Sequence, residues 1–336
     1  MNLGYKTTPH SRKSAAIRIA LTILIVGLIF FFLPLRELWL AARRVPPSVA
    51  LLILAGYMAT HVIAIIKWRM MANLAGAGLK FRPAAQCFFA GQFSNMFLPS
   101  IVGGDLIRVG MAFKLTRNKS GLILGTLVDR ILDITALASV MAAGALLLYG
   151  WLDANSRRIF SLTAALSGLG LVLPIALFWL FPAGRFSFKL KRIFVRIRQA
   201  LRSVLRRPIR VLVGFGLGIV IQAGLILLTA WIGWNCGIDL HLRVWLFAWP
   251  LAKLAALLPL TQGGIGVREL ALAGLLSQFG VPAVLTVAVG LVWEAILIAG
   301  GLLAGLLWVL VGRFSSIESV AGIVAPSAKK YASSLH

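Results

Sequence analysis

The chain has 336 residues, is 60% hydrophobic and has a mean hydropathy of +0.94, which excludes a soluble globular domain. Lys and Arg outnumber Asp and Glu by 34 to 9, for a net charge of +25. Those cations sit in short segments between apolar runs, the pattern of a polytopic membrane protein with a positive cytoplasmic face and not of a nucleic-acid binder.

Taken in chain order, Arg12, Lys13 and Arg18 precede an apolar run from about Ala15 to Leu33. The run is too long for a signal-peptide core and no cleavage site follows it, so it reads as an uncleaved first span. An amphipathic connector with Trp39 ends at Pro46-Pro47, and a second span covers about Ser48 to Met71. The following loop carries Lys67, Arg69, Lys80 and Arg82; Pro83 to Leu98 is apolar, and a basic loop with Lys114, Arg117 and Lys119 comes after it. Further spans are expected at Ser120–Tyr149, Ile159–Phe181, Val211–Trp234 and Ala283–Val311. Between them, Arg185 to Arg210 holds ten Lys/Arg and no acid, read either as an amphipathic helix on an anionic lipid face or as a solvated cytoplasmic loop. Val244 to Leu258 is apolar, a helix is expected over Gly266–Phe279, and the polar tail 313–336 reads as disordered. The domain division is a tail (1–14), one transmembrane domain (15–312) and a second tail (313–336), both tails cytoplasmic.

Two of the apolar stretches are broken by the same pattern, Pro-x-x-x-Gly-Gly-x-x-x-Arg. It occurs as Pro99, Gly103, Gly104, Arg108 and again as Pro259, Gly263, Gly264, Arg268. Pro lacks a donor and Gly is conformationally too free, so each break frees backbone polar groups that hydrocarbon cannot satisfy. Matching breaks in two halves point to a site between internal repeats. Charge bias decides the topology. If 83–108 enters and leaves on one side, every basic loop falls in the cytoplasm; if Pro83–Leu98, about 24 Å long at 1.5 Å per residue, crosses alone, two of them fall outside. The fold class is therefore all-α: six full spans and two re-entrant hairpins in inverted repeats (about 48–149 and 211–312), with both termini inside.

Acids within apolar spans usually face a cavity or a partner. Asp105, Asp129, Asp133, Glu269 and Glu294 are such acids. Asp129 and Asp133 share a helix face, with Arg130 three before Asp133; this reads either as part of the site or as an ion-pair patch at the cytoplasmic end of the helix. The helix after each tip would present free N–H groups and its positive dipole end, with Arg108 or Arg268 in its first turns, a pocket for a lipid phosphate. Asn95, Ser100 and Gln262 would add neutral hydrogen bonds, and Lys253 would pair with Glu269 or Glu294. His61, inside a span, reads as structural. Cys87 and Cys236 and the scattered histidines give no metal-ligand spacing, so no metal or cofactor is expected. There is no nucleophile elbow, P-loop or Asp-rich phosphotransferase motif, and no enzymatic activity is expected.

At these motifs the chain resembles the lysylphosphatidylglycerol synthase transmembrane family, which includes the flippase domain of the multiple peptide resistance factor. The likeness rests on Gly91-Gln92-Phe93-Ser94-Asn95 through Pro99-Ser100, Gly103-Gly104-Asp105 and Arg108; on Val128-Asp129-Arg130 with Asp133; and on Leu258-Pro259 through Gly263-Gly264-Ile265-Gly266 and Glu269. It implies a bacterial inner-membrane protein that moves a phospholipid, glycolipid or isoprenoid-type lipid between leaflets. No aminoacyl-transferase domain follows the last span, so lipid aminoacylation is not implied. Trp293-Glu294 stands where the resemblance leads one to expect an aromatic–Arg pair. The expected partners are membrane lipids with anionic headgroups, bound between the two tips, and a separate lipid-modifying enzyme. The alternative is a non-transporting protein that presents lipid to such an enzyme.

Overall fold

The computed structural model describes residues 34–97, 103–148, 150, 206–256 and 266–332, with 27 and 157 as isolated positions and the backbone alone from 313 onward. The spans expected at Ala15–Leu33 and Ile159–Phe181 lie outside the described residues. So do most of the basic segment, Pro99, Ser100, Pro259, Gln262, Gly263 and Gly264.

Every element among the described residues is helical: α1 (Leu35–Ala42), α2 (Pro47–Leu74), α3 (Phe81–Ser94), α4 (Gly103–Ala112), α5 (Lys119–Leu148), α6 (Pro208–Cys236), α7 (Leu242–Ala255), α8 (Val267–Ser277) and α9 (Ala283–Ala332). Among the described residues, four helices are long and apolar enough to cross a membrane: Pro47–Leu74, Lys119–Leu148, Pro208–Cys236 and Ala283–Gly312. Leu51, Leu52, Val62, Ile66, Ile123, Leu127 and Leu302 are exposed on them, as expected of helices whose outer faces meet lipid. The chain is a multi-pass membrane protein.

The boundaries follow from local chemistry. α2 and α6 both open on a proline, whose fixed φ suits the first helical turn and whose missing N–H costs nothing there. α6 stops at Gly237, whose φ of 96° is left-handed, and Ile238 N–H closes back on Gly233 O at 2.9 Å. α2 turns into α3 because the Asn73 side chain holds both the N–H and the carbonyl of Leu79, at 2.7 and 2.9 Å. One expectation is corrected at the last helix. It was to end near Val311, followed by a disordered tail, but the helical backbone continues unbroken to Ala332. The stretch after Arg313 is rich in Ser and Ala, and neither its polarity nor Gly322 and Pro326 end the helical backbone.

The packing has a regularity that exchanges α2–α5 with α6–α9. α3 packs on α4 as α7 does on α8. α2 meets α3 and α5 as α6 meets α7 and α9; α4 meets α5 as α8 meets α9; α5 lies on α6 as α9 lies on α2. Most telling, α3 packs against α9 and α7 against α5, so each short helix leans on the other half. α2 and α6 meet at the centre. α3 and α7 have 14 residues each, and α4 and α8 have 10 and 11.

Small residues allow these crossings. At Gly144 on α5 a Cβ would sit 2.7 Å from the backbone carbon of Leu246 and 2.8 Å from the backbone nitrogen of Phe247, on α7. Gly305 faces Phe93, and Gly300 faces the Tyr57 ring, in the corresponding contacts of α9. Gly144→Leu should therefore force α5 and α7 apart and cost about 1–3 kcal/mol, a typical overpacking penalty. Gly216→Leu, whose Cβ meets nothing within 4 Å, should be neutral. Thermal unfolding of the two variants in detergent checks this.

Candidate functional site

Each of the four long helices carries a polar residue near its midpoint: His61 in Pro47–Leu74, Asp133 in Lys119–Leu148, Gln222 in Pro208–Cys236 and Glu294 in Ala283–Gly312. Around them lies a belt of charge from both halves. Lys67, Arg108, Arg130, Lys253 and Arg268 face Asp105, Asp129, Asp133, Glu269 and Glu294, so the formal charges cancel.

In the first half, Lys67 Nζ is 2.5 Å from Asp129 Oδ1 and 3.0 Å from Asp133 Oδ1, and also donates to the Asp129 carbonyl at 3.2 Å. Arg108 Nη2 lies 3.1 Å from Asp105 Oδ1 and 3.9 Å from Asp129 Oδ2. Arg130 joins Asp105 at 2.5 Å and Asp133 at 3.6 Å. Exposure is graded across this cluster. The side chains of Lys67, Arg108 and Asp129 are 1%, 3% and 3% exposed, whereas those of Asp133, Asp105 and Arg130 are 20%, 24% and 44% exposed. The inner trio ties α2, α4 and α5 together and the outer trio faces open space.

In the second half, Arg268 serves two carboxylates with one nitrogen: Nη2 donates to Glu269 Oε1 at 2.5 Å and to Glu294 Oε1 at 3.0 Å. Glu269 Oε2 accepts the N–H of Gly266 at 2.7 Å and so caps the start of α8. The tip arginines are seated alike. Arg108 lies over Phe88 at 5.1 Å and Arg268 over Trp249 at 5.4 Å; counted from Phe81 and Leu242, those aromatics occupy the same step of α3 and α7. Arg108 is also stacked on Trp68 at 4.6 Å, which buries it.

Within each half a polar bond ties the long opening helix to the short helix after it, again at matching steps. Gln92 on α3 bonds His61 on α2, and Lys253 on α7 donates to Gln222 Oε1 on α6 at 3.0 Å. Counted from Pro47 and Pro208, His61 and Gln222 share a step, as do Gln92 and Lys253 counted from Phe81 and Leu242. His61 Nδ1 meets the Tyr57 carbonyl at 2.9 Å, which makes Nδ1 the donor and leaves Nε2 to accept from the Gln92 amide. Lys253 makes no ion pair among the described residues, yet the charges of Asp133, Arg130 and Arg268 all act on it, so it stands between the two clusters.

Several expectations change here. Lys253 was to pair with Glu269 or Glu294 and instead bonds Gln222, because both glutamates are drawn to Arg268. Lys67 was assigned to a loop, but it lies inside α2 and is fully buried by its two aspartates. The alternative that put Asp129, Arg130 and Asp133 at a helix end is overturned, since they sit near the middle of α5. Two of the N–H groups expected to be free at the starts of these helices have acceptors: Asn95 Oδ1 takes Gly104 N–H at 2.8 Å, and Glu269 Oε2 takes Gly266 N–H at 2.7 Å. Asn95 thus caps α4. Gly103 and Gly104 are buried, and a Cβ at Gly104 would strike Asn95 and the Gly91 carbonyl. Gln92, Gln222, Trp68 and Trp249 were not singled out; lining up the two halves from their opening residues would have found all but Trp68.

Lys67→Met should leave Asp129 and Asp133 short of a cation. Breaking a buried pair on one side costs about 3–5 kcal/mol, and Lys67→Met combined with Asp129→Leu should recover much of the loss. Denaturation midpoints of the single and double variants measure it.

Residues 16–305 match the family described as the lysylphosphatidylglycerol synthase TM region. Neither a curated protein nor a solved structure matches the chain.

Proposed function

This chain belongs to the lysylphosphatidylglycerol synthase TM family, and from that premise we propose that it translocates a lipid between the leaflets of the bacterial cytoplasmic membrane. What carries the reading is the charge-balanced belt halfway along four apolar helices, built jointly by both halves. A charge at that depth costs a few kcal/mol unless a partner or a water-filled cavity receives it, and a lipid headgroup in transit meets the same cost. A belt of partly exposed cations and carboxylates lowers that barrier for the headgroup while the acyl chains stay in lipid.

In this reading α3–α4 and α7–α8 are re-entrant hairpins. Their longer arms, of 14 residues, reach only about 21 Å at 1.5 Å per residue, short of the roughly 30 Å hydrocarbon core. The excess of Lys and Arg in the loops supports a cytoplasmic entry for the first pair, an outer entry for the second, and termini inside. The exchange relation in the packing supports an inverted repeat, with transport by rocking one half against the other. The phosphate docks on Lys253, the belt cation whose hydrogen bond goes to a neutral side chain, with Arg268 and Arg130 on either side. Arg108 serves as a fixed tie, since its guanidinium is buried between Trp68 and Phe88.

Purified protein in vesicles with a fluorescent phospholipid should equilibrate the probe between leaflets. Lys253→Met removes a charged hydrogen bond of about 1.5–3 kcal/mol, so the rate should fall roughly ten- to a hundredfold. Unchanged rates in both Lys253→Met and Arg268→Ala would remove the belt from the transport path.

A further inference from the structure

The two halves of the belt differ in their local charge count. In the first half Lys67, Arg108 and Arg130 meet Asp105, Asp129 and Asp133, cation for carboxylate. In the second, Arg268 alone meets Glu269 and Glu294 among the described residues. The further cation of this half, Lys253, is bonded to Gln222, and the carboxylate that acts on it is Asp133 of the first half. A phosphate that docks on Lys253 takes up that cation and sets a new anion beside one guanidinium that already faces two carboxylates. In surroundings of low dielectric such an excess is expensive.

We propose that each anionic headgroup entering the belt is accompanied by one proton, and that Glu294 carries it. The proposal rests on the translocator reading and adds its driving force. Glu269 is unsuited to carry a proton, because Oε1 accepts from Arg268, Oε2 caps Gly266, and the side chain is buried against Gly290. Glu294 has a single hydrogen-bonded contact among the described residues, from Arg268 to Oε1, and its side chain is 22% exposed, so its other oxygen is open to a proton. The described groups around it leave no other cation to balance the headgroup. α8 supplies Arg268 and Glu269, and α2 the Tyr57 hydroxyl and His61; Lys253 is the charge from α7 at this depth. α3, α6 and α7 otherwise carry charge only in their opening turns, at Arg82, Arg210 and Arg243, and α1 meets α9 through Leu38 and Ala41 on Val287 and Ala288.

The balance is explicit. A phosphodiester with one negative charge and one proton enter together, neutralise Lys253 and Glu294, and leave together on the other face. No net charge moves, so a pH gradient drives the lipid and a membrane potential does not. By reciprocity of linkage the proton also tightens binding of the lipid.

The test uses the full chain in vesicles with fluorescent phosphatidylglycerol under an imposed gradient of one pH unit. The probe should accumulate about tenfold in the leaflet facing the more alkaline compartment, the ratio that one proton per lipid dictates. A potassium–valinomycin potential should leave the distribution unchanged. Glu294→Gln should equilibrate the probe evenly whatever the gradient, and Glu294→Asp should restore the bias. Should Glu294→Gln fail to fold, short-chain phosphatidylglycerol binding to the native protein in two buffers of different ionisation enthalpy should still show uptake of one proton per lipid. Lipid movement indifferent to pH, a bias that follows the membrane potential, preferred transport of phosphatidylethanolamine, or binding without proton uptake each overturn the proton while leaving a translocator. Failure to move either lipid at any pH overturns the translocator as well.

Discussion

Charge neutrality among apolar helices is the constraint on which this structure depends. Ionised groups in such surroundings persist only in company, and here the company comes from different helices. Lys67 on α2 is held by Asp129 and Asp133 on α5, which also reaches α4 through Arg108. Arg268 on α8 is held by Glu294 on α9. The same contacts that make the charges tolerable therefore fix which helices are neighbours. Apolar packing between helices in lipid has little directional preference of its own, and ion pairs at few positions supply register.

Within that constraint the two halves have taken different routes from a common plan. The tip arginine lies over the aromatic at the same step of its companion helix in both, yet Arg108 is closed in by Trp68 while Arg268 remains partly open. One pair of matching positions, Gln92 and Lys253, differs in charge between the halves. In the first half an amide bonds a histidine and adds no charge; in the second a lysine bonds an amide and adds one. The first half is thus balanced within itself, whereas in the second one guanidinium faces two carboxylates and the lysine is turned to an amide.

Much of this was legible in the sequence, because hydropathy, the positive loops and the duplicated Pro-Gly-Gly-Arg pattern are signals of composition and spacing. The four long helices described fall within a few residues of their expected limits, and the acids flagged in apolar spans are the acids of the belt. What stayed hidden was partnership. Lys67 reads as a loop cation because it lies two residues from Arg69; only the fold shows that α5 covers the one and that the other turns to the Leu79 carbonyl. Lys253 was given the wrong partner for a similar reason: Glu269 is one residue from Arg268, and no spacing rule reveals that an adjacent arginine and a backbone N–H have already taken its oxygens. Neutral residues such as Gln92 and Gln222 carry no signal on their own.

The crossing of short helices between halves has a consequence for how the protein is made. α3 rests on α9, and α7 on α5, so the first short helix is synthesised long before the surface that receives it. Until α9 emerges from the ribosome and enters the bilayer, α3 lacks that support, and Gln86 and Phe93, which meet Gly312 and Gly305 of α9, are uncovered. α7, by contrast, finds α5 already in place. Assembly is therefore ordered from the second half back towards the first: the later helix α9 locks the earlier α3, and this part of the bundle closes only once α9 is in place.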